Sequence, residues 1–150
     1  METARDIMEP ALVVDPSTDL ATFARQLVGA DAEGACVVDS DGRLVGIVTG
    51  MDLVFREQRV AIAPEASLID LVLSFGSGAA RTLEKLAAER VGDLMTTEVV
   101  WVEPGTPLDQ VAAEMVQRRV STVPVVHEGV PVGVITRRLM IATALRRLLA

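Results

Sequence analysis

The chain has 150 residues, enough for one compact domain or two very small ones. Half are apolar but only 3% aromatic, with no Tyr and one Trp, so a dry core has to be built from Val, Leu, Ile, Ala and Met. A formal charge of −7 without a basic cluster argues against nucleic acid as a partner. The opening METARDIMEP lacks the apolar stretch of a signal peptide, and no run of about 18 apolar residues offers a membrane span. The sole cysteine, Cys36, excludes an internal disulfide and a multi-cysteine zinc site. Its apolar neighbours mark it as a buried thiol. The expectation is a cytoplasmic protein with no membrane partner and no metal.

In chain order, Asp6-Ile7-Met8 leads into a short apolar strand over 11–14, a turn at Pro16 and an amphipathic helix over 20–28. Thr18 and Asp19 offer that helix a modest cap. The run ACVVDSDGRLVGIVT reads as two strands turning at Asp41-Gly42, with a helix beyond Thr49. Residues 54–90 follow. Within them ASLIDLVLSFGSGAARTLEKLAAER reads as two helices broken at Gly76-Ser77-Gly78, the first apolar on most sides and in need of cover. From Asp93-Leu94-Met95 the same grammar returns: a strand over 99–102, then a helix over 108–118. There Thr106 suits the N-cap, Pro107 the first helical position and Asp109 the third. The run VPVVHEGVPVGVIT turns at Glu128-Gly129, and a last helix beyond Thr136 ends near Arg146-Arg147, cations well placed for a helix C-terminus.

The chain is therefore a duplication. Asp6 and Met8 fall on Asp93 and Met95, and Gly46 and Thr49 on Gly133 and Thr136, at a shift of 87 residues. Pro16, Leu20 and Val37-Val38 fall on Pro104, Leu108 and Val125-Val126 at a shift of 88. The fold class is α+β, built from tandem β-α-β-β-α repeats with a helical insert. The boundaries are 1–55 for the first repeat, 56–89 for the insert and 90–150 for the second repeat. One unit alone could hardly bury both faces of its sheet, whereas two packed copies could.

In its "DIM" and "DLM" starts, its "CVVD" and "VPVV" strands, and its "GIVTGMD" and "GVITRR" ends, the sequence resembles the cystathionine-β-synthase (CBS) domain pair, or Bateman module. The resemblance covers roughly residues 3–55 and 89–145. It implies two repeats packed with pseudo-twofold symmetry, clefts between them that take adenosyl ligands such as AMP, ADP, ATP or S-adenosylmethionine, and a regulatory role. It also implies a homodimer and a regulated protein partner. No cofactor is required; the adenosyl nucleotide is a regulatory ligand. An enzyme is not expected.

Chemistry gives the Thr49-x-x-Asp52 pattern a meaning. A threonine hydroxyl at a strand end can donate to a ligand oxygen, and an aspartate at the following helix start can accept from both ribose hydroxyls. The same spacing also describes a helix capping box, and one carboxylate can serve both roles. The resemblance puts Ile47, Thr49 and Asp52 in one site with Met95, Val100, Val120, Ser121 and Thr122 of the second repeat. In the other copy Leu139 stands where Asp52 would be, so the site of Met8, Val13, Thr136, Arg137 and Arg138 is expected to be the weaker one. There Arg137 and Arg138 either bind phosphate weakly or decorate a solvated helix start, the latter being favoured. AMP or S-adenosylmethionine fits the Asp52 site better than ATP, since no cation stands near it in the first repeat. The alternative function is a scaffold without ligand that recruits a partner enzyme or transporter through its dimer surface. His127 is expected in a solvent-facing turn. Trp101 belongs either to the core or to an interface.

Overall fold

The computed structural model describes residues 2–56, 84 and 86–150. The apolar helix expected within 57–83 lies outside the described residues. The chain forms two compact units, and neither follows the repeat boundaries. One gathers Met1–Ala11, Val38–Val45 and Glu98–Ala150; the other gathers the described residues of Leu12–Val37 and Gly46–Thr97.

The second of these units is built on β1 (Val13–Val14), β2 (Gly34–Val38) and β3 (Leu44–Thr49), in the order β1-β2-β3. β1 runs parallel to β2, with Val13 opposite Cys36 and Val14 opposite Val37. Helix α2 (Leu20–Ala30) buries Leu20, Ala21, Phe23 and Leu27, positions spaced to form one stripe. Asp19 caps it, accepting from the Thr22 N–H at 2.9 Å and from the Thr22 hydroxyl at 2.7 Å. The helix ends at Asp31 in the left-handed region. Helices α3 (Gly50–Arg56) and α4 (Val91–Leu94) complete the unit. Among the described residues Phe23, Leu20, Cys36, Val37, Val48 and Val91 are fully buried, aliphatic but for Phe23 and Cys36.

The other unit holds α1 (Ala4–Ile7), α5 (Leu108–Arg118), β4 (Thr122–His127), β5 (Val130–Thr136) and α6 (Arg137–Leu149). β4 and β5 form an antiparallel hairpin with an irregularity between Val125 and Val126. Its turn uses Glu128 and Gly129, both at positive φ (51° and 84°), which suits the right-handed twist of the flanking strands. The core joins Ala4, Val102, Leu108, Val111, Met115, Val123, Val125 and Ile135.

Three expectations are corrected. The strand over 99–102 reduces to one parallel bridge between Val102 and Val125, and the strand over 11–14 shortens to two residues. Thr106 does not cap α5. Pro107 takes the N-cap position in extended geometry, and the Thr106 hydroxyl accepts instead from the Glu103 N–H at 3.1 Å. Of the two places left open for Trp101 the core is not the one taken, since the residue is 48% exposed. His127 is exposed, as expected, with a ring nitrogen 3.9 Å from the Glu128 carboxylate.

The units differ from the repeats because each repeat's lead-in docks on the body of the other repeat. Ala4 and Arg5 donate to the carbonyls of Thr106 and Pro104, and Glu9 exchanges both backbone hydrogen bonds with Val134. Met8 lies so close to Gly133 that an added Cβ there would stand 2.7 Å from its sulfur. The other unit repeats the arrangement. Val91 and Gly92 donate to Thr18 and Pro16, Thr96 exchanges both bonds with Ile47, and the Met95 sulfur lies 2.7 Å from where a Gly46 Cβ would be. Glycine inside a strand marks such a close approach.

Candidate functional site

The Thr49-to-Asp52 corner forms where β3 runs directly into α3. Gly34 makes this possible: a Cβ on it would meet the Val48 carbonyl at 2.8 Å, so β2 can lie tight against the end of β3. The Gly50 N–H donates to the Glu33 carbonyl at 2.8 Å and pins the first helical residue. Thr49 and Asp52 then close a reciprocal box. The Asp52 Oδ2 accepts from the Thr49 N–H at 2.8 Å, and the Thr49 Oγ1 accepts from the Asp52 N–H at 3.2 Å. Asp52 is half-buried, and among the described residues its Oδ1 makes no hydrogen bond. The Thr49 hydroxyl proton is likewise not used within the box.

Met95 and Ile47 belong to the same unit as this corner. Because Ile47 and Thr96 satisfy each other's backbone groups at 2.9 Å, Ile47 has only its side chain to offer a ligand. Val100, Val120, Ser121 and Thr122 belong to the other unit. Sequence reasoning saw in Glu33 and Gly34 only the lack of a cation, although a glycine opening a buried strand is the signal that could have found the structural role of Gly34.

The Leu139 copy of the corner keeps half of the box. Thr136 caps α6 by accepting from the Leu139 N–H at 3.1 Å, but among the described residues no carboxylate answers its own N–H. Met8, Thr136, Arg137 and Arg138 share this unit, whereas Val13 lies in the other and is 44% exposed. The Arg137 N–H donates to the Ser121 carbonyl at 2.8 Å, the counterpart of the Gly50–Glu33 bond. The Thr122 Oγ1 is buried with no hydrogen-bond partner.

Elsewhere the titratable groups point to structure and not to chemistry. Burial pushes the Cys36 thiol up to about 11, which keeps it protonated and unreactive. Among the described residues no group of three or more His, Cys, Asp or Glu could hold a metal ion. No described helix is long and apolar enough to cross a membrane.

Comparison with known proteins places this architecture. The CBS domain family matches residues 4–59 and 91–145. The uncharacterized protein MJ1426 of Methanocaldococcus jannaschii is 32% identical over 143 residues, covering 89% of this chain and 85% of that one. The crystal structure of the CBS domain of a membrane protein from Sphaerobacter thermophilus is 30% identical with a TM-score of 0.73, covering 93% and 86% of the two chains. Arabidopsis thaliana CBSX2, solved in complex with AMP, is 28% identical with a TM-score of 0.72, covering 97% and 98%. The match spans 64% of the full-length CBSX2 sequence. Two family matches over most of the chain, and folds that superpose along nearly all of it, make this protein a member of the CBS domain family, carrying two of its repeats in tandem.

Proposed function

We propose that this chain is a regulatory ligand-sensing module, not an enzyme, and that it binds an adenosyl nucleotide at the Thr49–Asp52 corner. The observation that carries the reading is the division of labour in the Asp52 carboxylate. One oxygen closes the capping box; the other is left to accept from a ribose hydroxyl, and the Thr49 hydroxyl is left to donate. A charge-assisted hydrogen bond of this kind contributes about 1.5–3 kcal/mol. The AMP complex of CBSX2 supports the choice of ligand class. Ile47 and Met95 would supply apolar walls for a planar base.

A second reading, the dimeric interaction scaffold for a partner enzyme or transporter, is favoured by α6. Ile141, Leu145, Leu148 and Leu149 are all exposed on it, the last two by 80% and 87%. Calorimetric titration with AMP separates the two. The sensor takes about one ligand per chain, and Asp52→Ala weakens it at least about tenfold. Two equivalent sites, binding indifferent to that substitution, or no binding by any adenosyl compound at millimolar concentration would overturn the reading.

A further inference from the structure

Helix α6 turns its apolar side outward. Its one buried residue is Thr143, whose hydroxyl donates to the Leu139 carbonyl at 2.8 Å. Ile141, Leu145 and Leu148 fall on the opposite face and are exposed. Within the same unit, a groove of about 460 Å³ separates α6 from α5, lined chiefly by Leu108, Ala112, Met140, Ala144 and Leu148. Leu148 belongs to both features, so the stripe and the groove are continuous. Alanines at 112 and 144, one on each helix, leave room for a third helix to approach closely. The charge is as uneven as the hydrophobicity. Helix α6 carries Arg137, Arg138, Arg146 and Arg147 and no acid in a chain of formal charge −7, so everything else carries −11. The first two arginines stand at the start of the helix, where cations oppose its dipole and do nothing for its own stability. Glu2 pairs with Arg147 at 2.5 Å, and Asp109 is the one acid lining the groove. A second copy packed α6 to α6 would set arginines against arginines whichever way the two helices ran.

We propose that the α5–α6 groove, with the Ile141–Leu145–Leu148 stripe beside it, docks an amphipathic helix of a partner protein whose polar flanks are acidic. The apolar side chains of that helix fill the groove, and its carboxylates meet the arginines of α6. The inference rests on the interaction reading of α6 and needs no ligand at the Thr49–Asp52 corner. A lipid surface is the poorer occupant: a bilayer does not fill a concave groove, and anionic lipid repels the acidic remainder of the chain.

The test uses the full chain and two fluorescent helical peptides of about 20 residues, alike on their apolar face but carrying Glu in one and Lys in the other on the polar face. Fluorescence anisotropy should show the Glu peptide binding saturably, at least about tenfold tighter than its Lys twin, with the gap narrowing as salt rises. Ala144→Trp, which fills the groove from an exposed position, should weaken the Glu peptide at least about tenfold. Val116→Trp, on the exposed surface of α5 outside the groove, should not. Arg137→Gln combined with Arg146→Gln should reduce the preference for Glu to about threefold or less, with the melting temperature confirming that each variant folds. Equal binding of the two peptides would overturn the acidic partner while leaving the interaction reading of α6 standing. No binding of either peptide by a monomeric chain would remove both. A dimer that Leu145→Glu dissolves would make a second copy the occupant, and cosedimentation with phosphatidylglycerol vesicles that the same substitution abolishes would make it a lipid surface. Either result overturns the proposal.

Discussion

At the Thr49–Asp52 corner a single side chain combines a structural and a chemical role, and the two can be pulled apart. Asp52→Asn keeps an oxygen to accept from the Thr49 N–H, so the melting temperature should hold while AMP affinity falls with the lost charge. Asp52→Ala should lower both, with a stability cost of about 1 kcal/mol for the broken box. Gly46→Ala should destabilise by about 1–3 kcal/mol in denaturant unfolding, because its Cβ would meet the Met95 sulfur at 2.7 Å and the Thr96 carbonyl at 3.0 Å. Cys36 gives a pH signature. Its folded pKa lies above that of a free thiol, so its contribution to stability is complete below about pH 8.5 and is lost as pH rises toward about 11. The unfolding midpoint should fall across that window, and thiol reagents should react only on the unfolding timescale. The box itself was legible from Thr-x-x-Asp, because a cap acts within one turn. The seat of Met95 on Gly46 was not, because nothing local in the sequence says which distant methionine meets which glycine.

Among the elements, α2 and α5 start differently although the duplication aligns their sequences. Asp19→Ala should cost about 1 kcal/mol through the lost α2 cap. Thr106→Ala should leave the start of α5 unchanged, since no side chain caps that helix; amide exchange at the first turn of each helix distinguishes these outcomes. The boundaries of α5 were readable from apolar spacing and the Pro107 breaker. Its cap was not, because proline accepts the extended N-cap geometry and frees the Thr106 hydroxyl to serve the Glu103 N–H within its own turn. The hydrogen bonds from Thr3, Ser17 and Thr22 hold the carboxyls of Asp6, Asp15 and Asp19 below the usual range. Their contributions are therefore present above about pH 4 and lost as pH falls below it. The turns at Asp41-Gly42 and Glu128-Gly129 were legible for the simplest reason: each supplies a glycine at positive φ.

At the level of the whole molecule the duplication was visible from aligned motifs, and the fold class followed from it. The crossing of the lead-ins was not visible, because a repeat in sequence reads as a repeat in space until its contacts are traced. Removing residues 2–9 should strip backbone partners from Thr106 and Val134 and leave a gap where Ala4 packs against Val102, Leu108 and Val111. Hydrogen exchange should then rise in α5, β4 and β5 while α2 and the Cys36 strand stay protected. A fragment of residues 90–150 should stay unfolded alone and gain structure when a fragment bearing residues 1–56 is added. A lone copy would carry a hook with no eye to receive it, so it should gain stability only by clasping a sibling, and the fused chain holds both halves of that clasp at a fixed one-to-one ratio.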